Sequence, residues 1–99
     1  MGCDGNTPAL SEADAAAHAT DLDGWTLDYP KLRRVDTLAN FRKALAWINR
    51  VGMLAEEHDH HPDFHLTGWN KVELVLWTHA IDGISLADIE MARRISALA

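Results

Sequence analysis

The segment from Leu38 to Glu57 constrains the fold more than any other stretch of this chain. Phe41, Leu45, Ile48, Gly52 and Ala55 form one apolar stripe at helical spacing. Ala44, Trp47, Val51 and Leu54 form the stripe beside it. Together they predict one long helix whose apolar face is wide enough to need a sheet beneath it. Asp36 or Thr37 is placed to cap its start. Pro62 pushes His61 toward extended geometry, so the helix is expected to stop near His58. Gly52 inside it either costs about 1 kcal/mol against Ala or permits close packing.

The flanking sequence supplies strands for that sheet. Behind the Asp23-Gly24 turn signal, Trp25–Tyr29 alternates Trp, Leu and Tyr with Thr and Asp, and Pro30 ends it. Lys31–Val35 reads as a short second strand paired with the first. After the long helix, Asp63–Thr67 and Asn70–His79 read as strands three and four around Gly68. In the fourth, Val72, Leu74 and Leu76 point one way, while Lys71, Glu73, Val75, Trp77 and His79 point the other. Two helices complete the chain. One runs from about Glu12 to Ala19 behind a Ser11/Asp14 cap, the other from about Leu86 to Leu98 behind a Ser85/Asp88 cap. The order α-β-β-α-β-β-α predicts an α+β fold: a four-stranded antiparallel sheet with helices on one face. The 99 residues argue for a single domain over 11–99, with residues 1–10, which hold two Gly and one Pro, as a flexible N-terminal tail.

Composition removes several classes of function. A net charge of −6, with Lys and Arg scattered in small groups, excludes a sequence-independent nucleic-acid binder. One cysteine, Cys3, can form neither an internal disulfide nor a Cys-based zinc site. No apolar run approaches a membrane span, and the opening residues do not form a signal peptide, so a cytoplasmic location is expected. The start "MGCDGN" hints at N-myristoylation, but Asn6 stands where that motif takes Ser or Thr.

The chemistry concentrates in "EEHDHHPDFH", Glu56 to His65, which holds four of the six histidines and four carboxylates. A metal site is poorly supported. The helical zinc signature spaces its histidines four apart, whereas His60 and His61 are adjacent at a helix end and would diverge. His58 and His65, taken singly, read as solvated residues. His79 ends a strand on the face of Val75 and Trp77, where a lone histidine is commonly structural. Asp88 falls on the core-facing stripe Asp88, Met91, Ile95 and Leu98. A carboxylate there must be hydrogen-bonded or placed for function, and the helix cap is one such role.

The residues also form a spaced pattern. Glu56 is followed, after three residues, by His60-His61-Pro62. Six more lead to Trp69, nine to His79 and eight to Asp88. This resembles the signature of the pterin-4a-carbinolamine dehydratase family. The likeness extends to "GWTL", "NKVELVLWTH" and "SLADIEMARRI" and covers roughly Ser11 to Leu98. Trp69 departs from the Tyr of many members, and "DFHL" departs from their usual aromatic pattern.

The resemblance implies removal of water from a 4a-hydroxytetrahydropterin to give a quinonoid dihydropterin. This reaction recycles the by-product of pterin-dependent aromatic hydroxylation. It implies catalysis by His60, His61 and His79 as acid–base groups. Glu56 and Asp88 then orient them, and Pro62, Trp69 and Thr78 contribute to substrate binding. Histidine titrates near neutrality and suits either proton role. Neither a metal nor a cofactor is expected, the pterin being the substrate. The resemblance and the second stripe of the long helix both lead to a homodimer or homotetramer as the expected assembly. Two alternatives stay open: a dimerisation partner for a transcription factor, a role some animal members combine with catalysis, and a pterin binder in another pathway.

Overall fold

The computed structural model describes residues 8–99. Its elements are α1 (Glu12–Ala19), β1 (Trp25–Asp28), β2 (Lys31–Thr37), α2 (Phe41–His58), β3 (Asp63–Thr67), β4 (Lys71–Leu76) and α3 (Leu86–Leu98). A single 3-10 turn, His79–Ile81, separates β4 from α3. The sheet order is β1-β2-β4-β3 and every pairing is antiparallel. The α+β architecture expected from the residue pattern is therefore the one observed. Most of the expected N-terminal tail lies outside the described residues. Leu10 is held in place: its N–H donates to Ile84 O at 2.7 Å and its carbonyl accepts from the Tyr29 hydroxyl at 2.8 Å.

Alternation along the strands decides which sheet face is covered. Leu32, Val72, Leu74 and Leu76 are fully buried, and register places Leu32 opposite Leu76. Ala44, Trp47, Val51 and Ala55 of α2 and Ile89, Ala92 and Ile95 of α3 join the same core. The opposite sheet face carries charged pairs beside Val35 and Val75: Arg33 bridges Asp28 at 2.9 Å and Glu73 at 3.3 Å. Arg34 points into the helical layer, paired with Asp36 at 2.8 Å and lying over Trp25 and Trp47 at 6.0 and 5.9 Å. The α2 stripe holding Trp47 and Val51 is the buried one. Phe41 and Leu45 of the other stripe remain 49% and 42% exposed, and Met53 is 72% exposed.

Several boundaries differ from the sequence reading, the two largest for an identifiable reason. Asp36 and Thr37 do not cap α2, because β2 continues through them, pairing Asp36 with Val72 and Thr37 with Lys71. The cap is Asn40, whose side-chain oxygen accepts from Lys43 N–H at 2.8 Å. β4 stops at Leu76 rather than reaching His79, because its neighbours give out: Leu76 pairs with Leu32 near the start of β2, and Val75 with Asp63 at the start of β3. His79 consequently begins the 3-10 turn.

Candidate active site

The end of α2 delivers the first histidine. Asp59 adopts a left-handed conformation with φ of 49°, its N–H bonds Glu56 O, and the next N–H, of His60, bonds Ala55 O at 3.1 Å. This double bond pattern closes the helix with a Schellman turn and reverses the chain within two residues. Asp tolerates the left-handed region better than most residues other than Gly. The reversal turns His60 inward, where it is only 2% exposed.

His60 meets Asp88 there. Its Nε2 donates to Asp88 Oδ1 at 2.6 Å. The other carboxylate oxygen, Oδ2, accepts from the Thr78 hydroxyl at 2.7 Å and from the Ser85 N–H at 2.9 Å. Thr78 and Ser85 share a further bond between their hydroxyls at 2.9 Å. All four residues are buried. The two roles open to Asp88 from sequence are therefore one arrangement: Oδ2 completes the capping box of α3 while Oδ1 holds the imidazole. A buried carboxylate costs several kcal/mol unless its oxygens are bonded, and here both are.

His61 turns the other way. Its Nε2 donates to Glu56 Oε1 at 2.7 Å, and both side chains are largely exposed. Pro62 between it and β3 is buried. Thr78 forms an isolated bridge to Gly83, with Thr78 N bonded to Gly83 O at 2.6 Å. Alternation then puts Thr78 inward, toward Asp88, and Trp77 and His79 outward, with ring centroids 4.1 Å apart. Because Asp63 pairs with Val75, residues just before β3 and just after β4 share one end of the sheet. Glu56, His60, His61, Pro62, Thr78, His79 and Asp88 therefore gather there. Trp69 does not: it lies in the β3–β4 turn at the other end of the strands, 61% exposed with φ of 62°. His65 is exposed within β3, and His58 lines a cavity of about 60 Å³ together with His60, Ala87, Glu90 and Arg94. That volume is well below the roughly 300 Å³ at which ordinary ligand pockets begin. Among the described residues, no three His, Cys, Asp or Glu side chains are grouped to hold a metal ion.

The sequence reading treated Ser85 only as a cap and left Asp63 unassigned. The capping-box spacing did mark Ser85, but its hydroxyl bond to Thr78 depends on the Thr78–Gly83 bridge, which no local pattern announces.

Comparison with known proteins decides the family. The family described as pterin 4 alpha carbinolamine dehydratase matches residues 8–98. The chain belongs to that family. A protein named putative pterin-4-alpha-carbinolamine dehydratase from Rubrobacter xylanophilus is 41% identical over 97 residues, covering 97% of this chain and 90% of its own. A protein of the same name from Chlorobaculum tepidum is 41% identical over 100 residues, covering 97% and 89%. Among solved structures, the "transcriptional coactivator/pterin dehydratase" from Brucella melitensis superimposes with a TM-score of 0.83 at 31% identity, covering 93% of this chain and 99% of its own. A pterin dehydratase-like protein described as a RuBisCO assembly factor in the alpha-carboxysome is more distant, with a TM-score of 0.59 at 25% identity and coverage of 76% and 86%. These structural neighbours thus carry more than one described role.

Proposed function

We propose that this chain is a 4a-hydroxytetrahydropterin dehydratase that works by histidine acid–base catalysis. The observation that carries the reading is that His60, His61 and His79 lie at the same end of the sheet, the first buried and the other two exposed, with His60 and His61 each held by a carboxylate. The reaction needs two proton movements. An acid protonates the C4a hydroxyl so that the C4a–O bond breaks and water leaves. A base removes a proton from a ring nitrogen, leaving the quinonoid dihydropterin. The sum is loss of one water with no change in redox state, so no cofactor is required and the pterin is the substrate. Positioned imidazoles accelerate such steps by about 10²–10⁴-fold. Because the cavity behind His60 is small, the bicyclic ring would lie over the open sheet end, between exposed His61 and His79 and next to Pro62, while buried Thr78 acts through its bond to Asp88. Glu56 and Asp88 act as orienters of His61 and His60.

The same reading includes self-association into a homodimer or homotetramer, supported by the exposed Phe41, Leu45 and Met53 and by the unpaired edges of β1 and β3. That exposed α2 surface also favours a second reading, an interaction role of the kind named for the Brucella relative. The two readings use different residues. Dehydration of synthetic carbinolamine, corrected for its spontaneous rate, tests the first. Wild-type protein should accelerate it at catalytic concentration, and protein that leaves the spontaneous rate unchanged would leave only the interaction reading. Among the described residues, no helix is long and apolar enough to cross a membrane.

A further inference from the structure

His60 and His61 are each held by a carboxylate, but among the described residues His79 makes no side-chain hydrogen bond. Its ring instead rests on Trp77, centroid to centroid 4.1 Å, at an interplanar angle of 38°. We propose that Trp77 is the positioning residue for His79, doing for the third histidine what Asp88 and Glu56 do for the first two. This rests on the dehydratase reading above.

Three observations support the assignment. First, Trp77 is itself fixed. Its Nε1 donates to Asp63 Oδ2 at 3.2 Å, and the ammonium of Lys31 lies over its ring at 4.7 Å. Asp63 belongs to β3 and Lys31 to β2, so the indole is gripped from the strands on both sides of β4. Second, the backbone between the two rings is fixed by the Thr78–Gly83 bridge and by Thr78 bonding inward to Asp88. His79 therefore has a set origin, and the remaining freedom lies in its side chain, exposed to solvent. Third, the mode of contact suits the chemistry. A carboxylate orients an imidazole by taking one ring nitrogen. An aromatic face orients it by dispersion and quadrupole contact and leaves both nitrogens for substrate and solvent. A group that must exchange a proton with the pterin on each turnover benefits from that difference.

The test combines kinetics with a spectroscopic reading of His79, using Trp77→Ala, Trp77→Phe and His79→Ala in the full chain. Misplacing a reacting group by about 1 Å costs up to about 10²-fold. Trp77→Ala should therefore lower kcat by about 10- to 100-fold, with KM changed much less. Trp77→Phe keeps a ring and should recover most of the loss. In nuclear magnetic resonance spectra, the His79 ring protons should carry a ring-current displacement that Trp77→Phe retains and Trp77→Ala abolishes. In a His79→Ala background, Trp77→Ala should add little further loss, as expected of residues acting through one another. Full kcat in Trp77→Ala would overturn the proposal, and so would an undiminished additional loss in the His79→Ala background, which would mark general damage. Wild-type activity in His79→Ala would overturn the catalytic assignment of His79 itself, and with it this role. An inactive His79→Ala beside an active Trp77→Ala would overturn the positioning role alone.

Discussion

Replacing Asp88 separates what the buried network does for the fold from what it does for His60. In Asp88→Ala three donors lose Asp88 as acceptor: His60 Nε2, now bonded at 2.6 Å, Ser85 N–H, bonded at 2.9 Å, and the Thr78 hydroxyl, bonded at 2.7 Å. The Thr78 hydroxyl can turn to Ser85 Oγ, 2.9 Å away, so two of the three are left without an acceptor. An orphaned buried donor costs about 1–3 kcal/mol, so the variant should lose about 2–6 kcal/mol. Small domains hold only about 5–15 kcal/mol in all. Asp88→Asn keeps the shape, and the network dictates how the amide sits. Ser85 N–H can only donate, so the amide oxygen must face it, and the amide NH2 must face His60. His60 Nε2 then has to accept, which forces its proton onto the other ring nitrogen. The stability loss should be about 1–2 kcal/mol, the difference between charged and neutral hydrogen bonds. For a domain of this size that lowers Tm by about 4–8 °C per kcal/mol. Activity, by contrast, should fall by about 10²–10⁴-fold, the scale of a lost acid–base group. Denaturant titration and corrected turnover measure the two effects, and nitrogen chemical shifts of the imidazole report the tautomer. If Asp88→Ala and Asp88→Asn were equally stable, or if Asp88→Asn kept wild-type turnover with an altered tautomer, the reasoning from this network would be wrong.

Three further outcomes are expected. His61→Ala should lose about 10²–10⁴-fold in turnover, while chelator-treated wild type keeps its activity; full activity in the variant, or loss on chelation that zinc restores, would contradict metal-free histidine catalysis. The corrected rate should fall on both sides of neutrality, since one imidazole must carry its proton and another must lack it; a profile flat from about pH 5 to pH 9 would exclude such a pair. Sedimentation at micromolar concentration should give a dimer or tetramer, and Leu45→Glu on the exposed α2 face should reduce the assembled mass while sparing the buried core; a wild-type monomer of 11.0 kDa would show that this face has no partner copy.

Element order and face assignment were legible because each rests on a local period. The bounds of α1, β3 and α3 follow directly from capping residues, Gly68 and Pro62. The start of α2 was misread because Asp36 and Thr37 look like caps locally, yet a ladder to Val72 and Lys71, distant in sequence, claims them as strand. A cap satisfies one donor, whereas extending the strand satisfies several backbone groups and lets Asp36 pair with Arg34. The site was legible by a different route. Resemblance to the family signature singled out His60, His61, His79 and Asp88, but only the Schellman turn at Asp59 decides that His60 goes inward and His61 outward. Adjacent histidines in one peptide thus end in opposite environments, one 2% exposed and the other exposed to solvent. Trp69 shows the converse. It shares the spaced pattern, yet the β3–β4 hairpin carries it to the far end of the strands, because residues in a linear pattern are ordered by chain position and not by place.

The His60–Asp88 bond also explains why the histidine cluster sits where it does. His60 follows the C-terminal end of α2, where unpaired carbonyls leave a partial negative charge. Asp88 occupies the first turn of α3, where unpaired N–H groups leave a partial positive charge, and it satisfies one of them through Ser85. The Asp88 carboxylate therefore complements the helix end that carries it. The sheet brings those two ends together, because the strand leaving α2 pairs with the strand entering the turn before α3. The hydrogen bond joins residues 28 positions apart across that junction. Closing it ties the long helix to the last one at the point where both meet the sheet. A chain that misplaced either helix end would lose a capped helix terminus and the orientation of His60 in the same event, so the demands of the fold and of the proposed chemistry fall on the same four buried residues.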